Sequence, residues 1–120
     1  MYGTILNLTQ HVPTPEQYAQ GVTNHVDHKL IQSLLTFVGM PTWDDVVARA
    51  EQLAVLAAET GAESAMIGGA PYLMAPLHSA LATKGIRPLY AFSERKSVDE
   101  TQPDGSVKKT AVFVHIGFVG

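Results

Sequence analysis

The sequence predicts an α/β fold: a small, open, mostly parallel sheet with helices on its faces and a C-terminal β-hairpin that adds an antiparallel edge strand. Three observations lead there. Short β-prone runs alternate with longer helical patterns up to about residue 94, which calls for parallel pairing through crossovers. The tail "ERKSVDETQPDGSVKKTAVFVHIGFV" then changes to two extended runs around Pro103-Asp104-Gly105, a turn set by proline's fixed φ and glycine's freedom. Finally, 120 residues with 46% hydrophobic side chains and a mean hydropathy of +0.08 suit one domain around one core.

Each element has a local reason. "GTILNLTQH" is a first strand running into polar residues, and "TPEQYAQG" is a short helix with Thr14 as cap, Pro15 at its first position and Gln17 three residues after the cap. Leu30, Ile31, Leu34, Leu35 and Val38 share one face of a second helix, which Gly39, Met40 and Pro41 end. "TWDDVVARAEQLAVLAAETG" carries the clearest helical signal: a Thr42 cap, an acid three residues later, a stripe of Val46, Val47, Ala50, Leu53, Ala54 and Ala57, and a stop at Gly61. "AESAMIGG" is a second strand, "APYLMAPLHSALATKG" a helix stopped by Gly85, and "IRPLYAFSE" a third strand. Pro76 lies five residues beyond Pro71, so either the helix between these strands kinks at Pro76 or, the preferred reading, it starts nearer Met74 with residues 68–73 as a loop. The expected sheet order is second, first, third, fourth.

Composition excludes several functions. A net charge of -3 argues against a general duplex-DNA binder, which needs a basic stripe. Without cysteine there is no disulfide, thiolate catalysis or cysteine-ligated zinc. The apolar stretches are too short to span a bilayer and "MYGTILNLTQ" lacks the pattern of an export signal, so a cytoplasmic protein without membrane partners is expected.

In open α/β sheets the pocket forms beyond the carboxyl ends of the strands, which here are Asn7–His11, Gly68–Tyr72 and Ser93–Lys96. Asn7, Thr9 and Gln10 offer donors and acceptors, and His11 can exchange a proton near neutrality. Gly68, Gly69 and Ala70 allow close backbone approach at a helix start, with Tyr72 facing the ligand; the alternative is a sharp strand-to-helix turn. Ser93, Arg95 and Lys96 can clamp a phosphate, or else form a solvated hairpin edge. If the turn centres on Asp104 and Gly105, His115 lies opposite Glu94, where it serves the site or acts as a hydrogen-bonded structural residue. His25 and His28 have a metal-like i, i+3 spacing beside Asp27, yet no third ligand follows at a known spacing. They are read as a solvated helix start capped by Asn24 or Asp27, and no metal or cofactor is expected.

The opening "ILNLTQHVPTPEQ" resembles the start of certain small CRISPR-associated proteins with Rossmann-like folds, in which a strand enters a polar turn and then a "TPEQ"-like helix. The resemblance implies a cyclic oligonucleotide ligand, such as the cyclic oligoadenylate messengers of antiviral defence, bound across a homodimer. Some such proteins are ring nucleases that cleave the messenger without metal, and others only sense or sequester it. Asn7 and His11 fall on the family's polar turn. The expected function is therefore a nucleotide-binding protein that binds or cleaves a cyclic oligonucleotide, with His11, His115 and Arg95 as catalytic candidates. The alternatives are a non-catalytic protein–protein interaction module and an enzyme acting on another small phosphorylated metabolite.

Overall fold

A computed structural model describes residues 2–120. The chain forms β1 (Ile5–Leu8), α1 (Pro15–Ala19), β2 (Val22–Thr23), α2 (His28–Leu35), α3 (Trp43–Glu59), β3 (Ser64–Ile67), α4 (Pro71–Thr83), β4 (Arg87–Thr101) and β5 (Val107–Val119). The five strands make one sheet in the order β2-β1-β3-β4-β5. All pairs are parallel except β4–β5, so the α/β, mostly parallel sheet with an antiparallel hairpin edge is as expected.

The order itself needs a correction. The strand at Ser64–Ile67 lies between β1 and β4 instead of outside β1, whose other side is taken by a two-residue strand not anticipated from the sequence, Val22–Thr23. Gly21, at φ 104, turns the chain out of α1 so that Val22 pairs with Ile5. The strand order therefore reverses direction at β1, with β2 to one side and β3 to the other.

Alternation along the strands splits the buried residues between two faces. Leu6, Leu8, Ala65 and Ile67 meet the stripes of α2, α3 and α4, among them Ile31, Val46, Leu53, Leu73, Leu77 and Leu81. Ile5, Val22, Met66 and Leu89 lie on the opposite face with Tyr2 and Phe118. α3 follows its sequence signal: Thr42 accepts from the Asp45 backbone N–H, and only Val47 of the expected stripe is exposed. α2 ends earlier than expected, at Leu35, which leaves Val38 outside it and exposed.

α4 begins at Pro71, not near Met74, and holds Pro76 inside it. One proline inside a helix costs about 3 kcal/mol, whereas fully burying a leucine contributes about 1.5–3 kcal/mol. Leu73, Leu77 and Leu81 are all fully buried, so three burials outweigh one lost hydrogen bond. The carbonyl left without its helical partner belongs to Tyr72, an exposed residue.

β4 and β5 outgrow the rest of the sheet. The last β3–β4 pair is Met66 with Leu89, and beyond it β4 pairs with β5 alone as far as Thr101 and Val107. At about 3.3 Å per residue, Ala91 to Thr101 forms an arm about 36 Å long. Its reach explains why the radius of gyration is 17.0 Å with extents of 56 × 37 × 24 Å, when a compact chain of this length has a radius of about 14 Å.

The hairpin turn holds three residues, not two. Gln102 N–H donates to the Ser106 carbonyl, Gly105 N–H donates to the Gln102 carbonyl, and Gly105 sits at φ 86. The arm's register is thereby one residue off the expected one, and Ser93 rather than Glu94 faces His115. A bulge between Phe92 and Ser93 restores the register at the base, where Phe92 pairs with Gly117. This shift turns His115 to the face that carries Phe118, where it is buried, with ring centroids 4.9 Å apart.

Candidate ligand site at the carboxyl edge of the sheet

Asn7, the third residue of β1, organises the turn that follows. Its Oδ1 accepts from Thr9 N–H (3.0 Å) and Thr9 Oγ1 (2.7 Å), while its Nδ2 donates to the His11 carbonyl (2.9 Å) and to Asn24 Oδ1 (3.1 Å). One buried amide thus ties the β1 exit to the loop after β2. Asn7 and Thr9 are both buried, so they shape the turn, while Gln10 and His11 extend from it into solvent.

α2 closes the other side. Asp27 caps it by accepting from Leu30 N–H, Gln32 Nε2 donates to the Thr9 carbonyl (3.1 Å), and Gln10 Nε2 donates to Thr36 Oγ1 (2.8 Å). Arg49 of α3 holds the far end of α2 by donating to the Thr36 carbonyl (2.6 Å).

Between these walls lies a depression of about 270 Å³ lined by Asn7, Thr9, Gln10, His11, Asn24, His25, His28 and Gln32, together with Val12, Pro13 and Ile31. Three histidines and five neutral polar residues face it, and no carboxylate does, although the chain carries three more acids than basic residues. Such a lining offers N–H donors, from side-chain amides and imidazoles, to a negatively charged group. It lies at the carboxyl end of β1, where the strand order reverses. No group of three His, Cys, Asp or Glu side chains among the described residues has the geometry to hold a metal ion.

Sequence reasoning found Asn7, Thr9, Gln10 and His11; its reading of His25 and His28 as a solvated helix start capped by Asp27 holds, since α2 begins at His28 behind that cap and His28 is exposed, but it did not place them beside Asn7 and it missed Gln32. Their signal was the polar loop after Gly21, and it needed β2 to bring that loop alongside β1. Gly68 adjoins the site from the β3 side, where a Cβ would lie 3.5 Å from Thr9 Cγ2. Gly69 adopts φ 137, and Ala70 starts α4 with no side-chain cap. Tyr72 points elsewhere: its ring packs edge-on against Phe37 at 5.2 Å, and it lines a separate apolar groove with Met40, Pro41, Trp43 and Val46.

Ser93, Arg95 and Lys96 stand exposed on the arm and do not line the depression. His115 is not brought to it either. The α1 capping box directs Gln17 Oε1 to Thr14 N–H (3.0 Å), so Gln17 Nε2 faces His115 Nδ1 at 3.4 Å as donor, and Nδ1 must accept. The ring proton then sits on Nε2 and is donated to Gln20 Oε1 at 2.8 Å. Burial lowers the pKa of His115, against the smaller opposing pull of Glu16. It is a neutral, hydrogen-bonded residue that joins the arm's base to α1.

Residues 3–119 match the family model described as the Uncharacterized protein MJ1673 family. The chain belongs to that family. No curated protein and no solved structure matches it. No helix among the described residues is long and apolar enough to cross a membrane.

Proposed function

We propose that this chain is a nucleotide-binding protein with a Rossmann-like sheet, and that its ligand sits in the depression beyond β1. The observation that carries this reading is the carboxylate-free lining of His11, His25 and His28 at the strand reversal. The volume of about 270 Å³ lies just below the range typical of ligand pockets, about 300–1,000 Å³. The resemblance of the opening segment favours a cyclic oligonucleotide as the ligand class, with one unit in the depression and the remainder over Gln10 and the adjoining loops. Neither Arg95 nor His115 serves this site; the polar turn and the three histidines do.

Two activities are compatible with such a site. In a sensor or sponge, the imidazoles and amides hold the phosphate and nothing further happens. In a ring nuclease, a ribose 2′-hydroxyl attacks its neighbouring phosphate with in-line geometry, and exposed His11 takes the hydroxyl proton or gives one to the leaving oxygen. The test is a thermal shift with cyclic oligoadenylates and with mononucleotides, followed by a turnover assay in EDTA on wild type and His11→Ala. A shift with the cyclic ligands supports the reading, and loss of turnover but not of binding in His11→Ala makes the protein an enzyme. A shift with neither ligand class rejects it.

A second reading, a protein–protein interaction module, rests on a different feature, the exposed arm.

A further inference from the structure

We infer that His115 is a proton-sensitive latch: it holds α1 against the sheet and, through α1, positions two walls of the depression beyond β1. Its ring stands outside that depression, so it touches no ligand and is a positioning residue.

α1 needs such a tie. It has five residues, and isolated helices shorter than about 12–15 residues are marginal in water. A short helix is normally held by an apolar face, yet α1 has none: Gln17 is its one buried side chain, and neither core cluster contains a residue of α1. Polar contacts hold it instead. Gln17 and Gln20 lie three apart on one side of the helix and grip the same imidazole, Gln17 Nε2 at 3.4 Å from Nδ1 and Gln20 Oε1 at 2.8 Å from Nε2.

α1 also joins the walls of the depression. Residues 9–13 line it and run straight into the Thr14 cap, and beyond Gly21 the chain passes through β2 to Asn24 and His25 on the other side. Side chains make a second link. Asn24 Nδ2 donates to Tyr18 Oη (2.9 Å), and Asn24 Oδ1 accepts from Asn7 Nδ2 (3.1 Å). Contacts therefore run without a break from His115 through Gln17, α1, Tyr18 and Asn24 to Asn7.

The latch is matched to a neutral ring, which has one acceptor and one donor. A proton on Nδ1 would face the Gln17 amide donor, and Gln17 cannot turn without giving up the Thr14 N–H. Of the charged groups on the elements packed against the ring, Glu16 of α1 pulls in favour of that proton and burial outweighs it; Ser93 opposite on β4 and Phe118 on β5 are neutral. Acid thus releases α1 and loosens both walls. That this regulates ligand binding rests on the depression being the ligand site; the mechanical link does not.

The experiment is amide hydrogen exchange with NMR on the full, ligand-free chain from near-neutral pH downward, for wild type, His115→Leu and His115→Gln. Leucine removes both contacts, whereas glutamine can accept and donate but does not titrate. The Gln20 and Gly21 amides bond to carbonyls of α1, and their protection relative to α3 is expected to fall about tenfold or more as wild type is acidified. In His115→Leu the same loss is expected at every pH, and in His115→Gln the acid response is expected to vanish. The side-chain amide signals of Asn7 and Asn24 should move with α1. His11, His25 and His28 are present in all three proteins, so the difference between wild type and His115→Gln isolates what passes through α1. Gln20→Leu, an exposed change that removes one tie and leaves the sheet untouched, should weaken α1 as His115→Leu does. The proposal is overturned if α1 keeps its protection in His115→Leu and Gln20→Leu, if the acid response survives in His115→Gln, or if α1 loosens while Asn7 and Asn24 stay unmoved. A protein that passes these tests but binds no cyclic oligoadenylate keeps the latch and rejects only the nucleotide reading.

Discussion

His115 and Gln17, 98 residues apart in the chain, meet with Gln17 Nε2 3.4 Å from His115 Nδ1, and this contact fixes the protonation state of the histidine. A second proton on Nδ1 would oppose the Gln17 amide, which cannot turn without breaking the capping box of α1. The folded pKa lies below the ordinary value of about 6.5 because burial disfavours the charged ring. The unfolded chain therefore binds the proton more readily. The contribution of His115 to stability is complete above the unfolded pKa and is lost as pH falls through the folded one. Urea unfolding at a series of pH values from 7.5 downward should show this slope for wild type and a flatter one for His115→Leu. His115→Ala should cost about 1–3 kcal/mol at pH 7.5, through the lost hydrogen bonds and the cavity.

Asn7 makes four hydrogen bonds from one amide, two as donor and two as acceptor. Asn7→Asp keeps the acceptor pair and turns the other two contacts into oxygen facing oxygen, so it should destabilise at least as much as Asn7→Ala. Each should cost about 2–3 kcal/mol in urea unfolding. Both should also lower ligand affinity, since the loop carrying Asn24 and His25 would lose its tie to β1.

The two glycines after β3 should respond differently to the same change. Gly69 lies at φ 137, where an L side chain is strained, so Gly69→Ala should cost about 1–3 kcal/mol. Gly68 needs no such angle and its added Cβ would meet Thr9 Cγ2 at an ordinary 3.5 Å, so Gly68→Ala should be close to neutral. Thermal melts of the two variants decide this; equal losses would contradict the backbone account.

Much of this architecture was legible because its signals are local. The Thr42 cap, the alanine and leucine stripe and the Gly61 stop describe α3 without tertiary information, as Thr14, Pro15 and Gln17 do for α1. What was not legible depends on competition between distant groups. Pro76 reads as a helix breaker until the burial of Leu73, Leu77 and Leu81 is weighed against it. Val22 and Thr23 are too few to announce a strand, yet they decide where the strand order reverses and bring His25 and His28 beside Asn7. The facing of His115 hinged on whether the hairpin turn holds two residues or three, and one residue of slip reversed it.

The site at the β1 exit is tested most directly by titrating the protein with a cyclic oligoadenylate while following its backbone amides by NMR, beside a variant with His11, His25 and His28 all changed to alanine. The predicted result is shifts concentrated in residues 7–13 and 24–32, lost in the triple variant while its fold is kept. Shifts confined to the arm, or the same affinity without the three histidines, would contradict it.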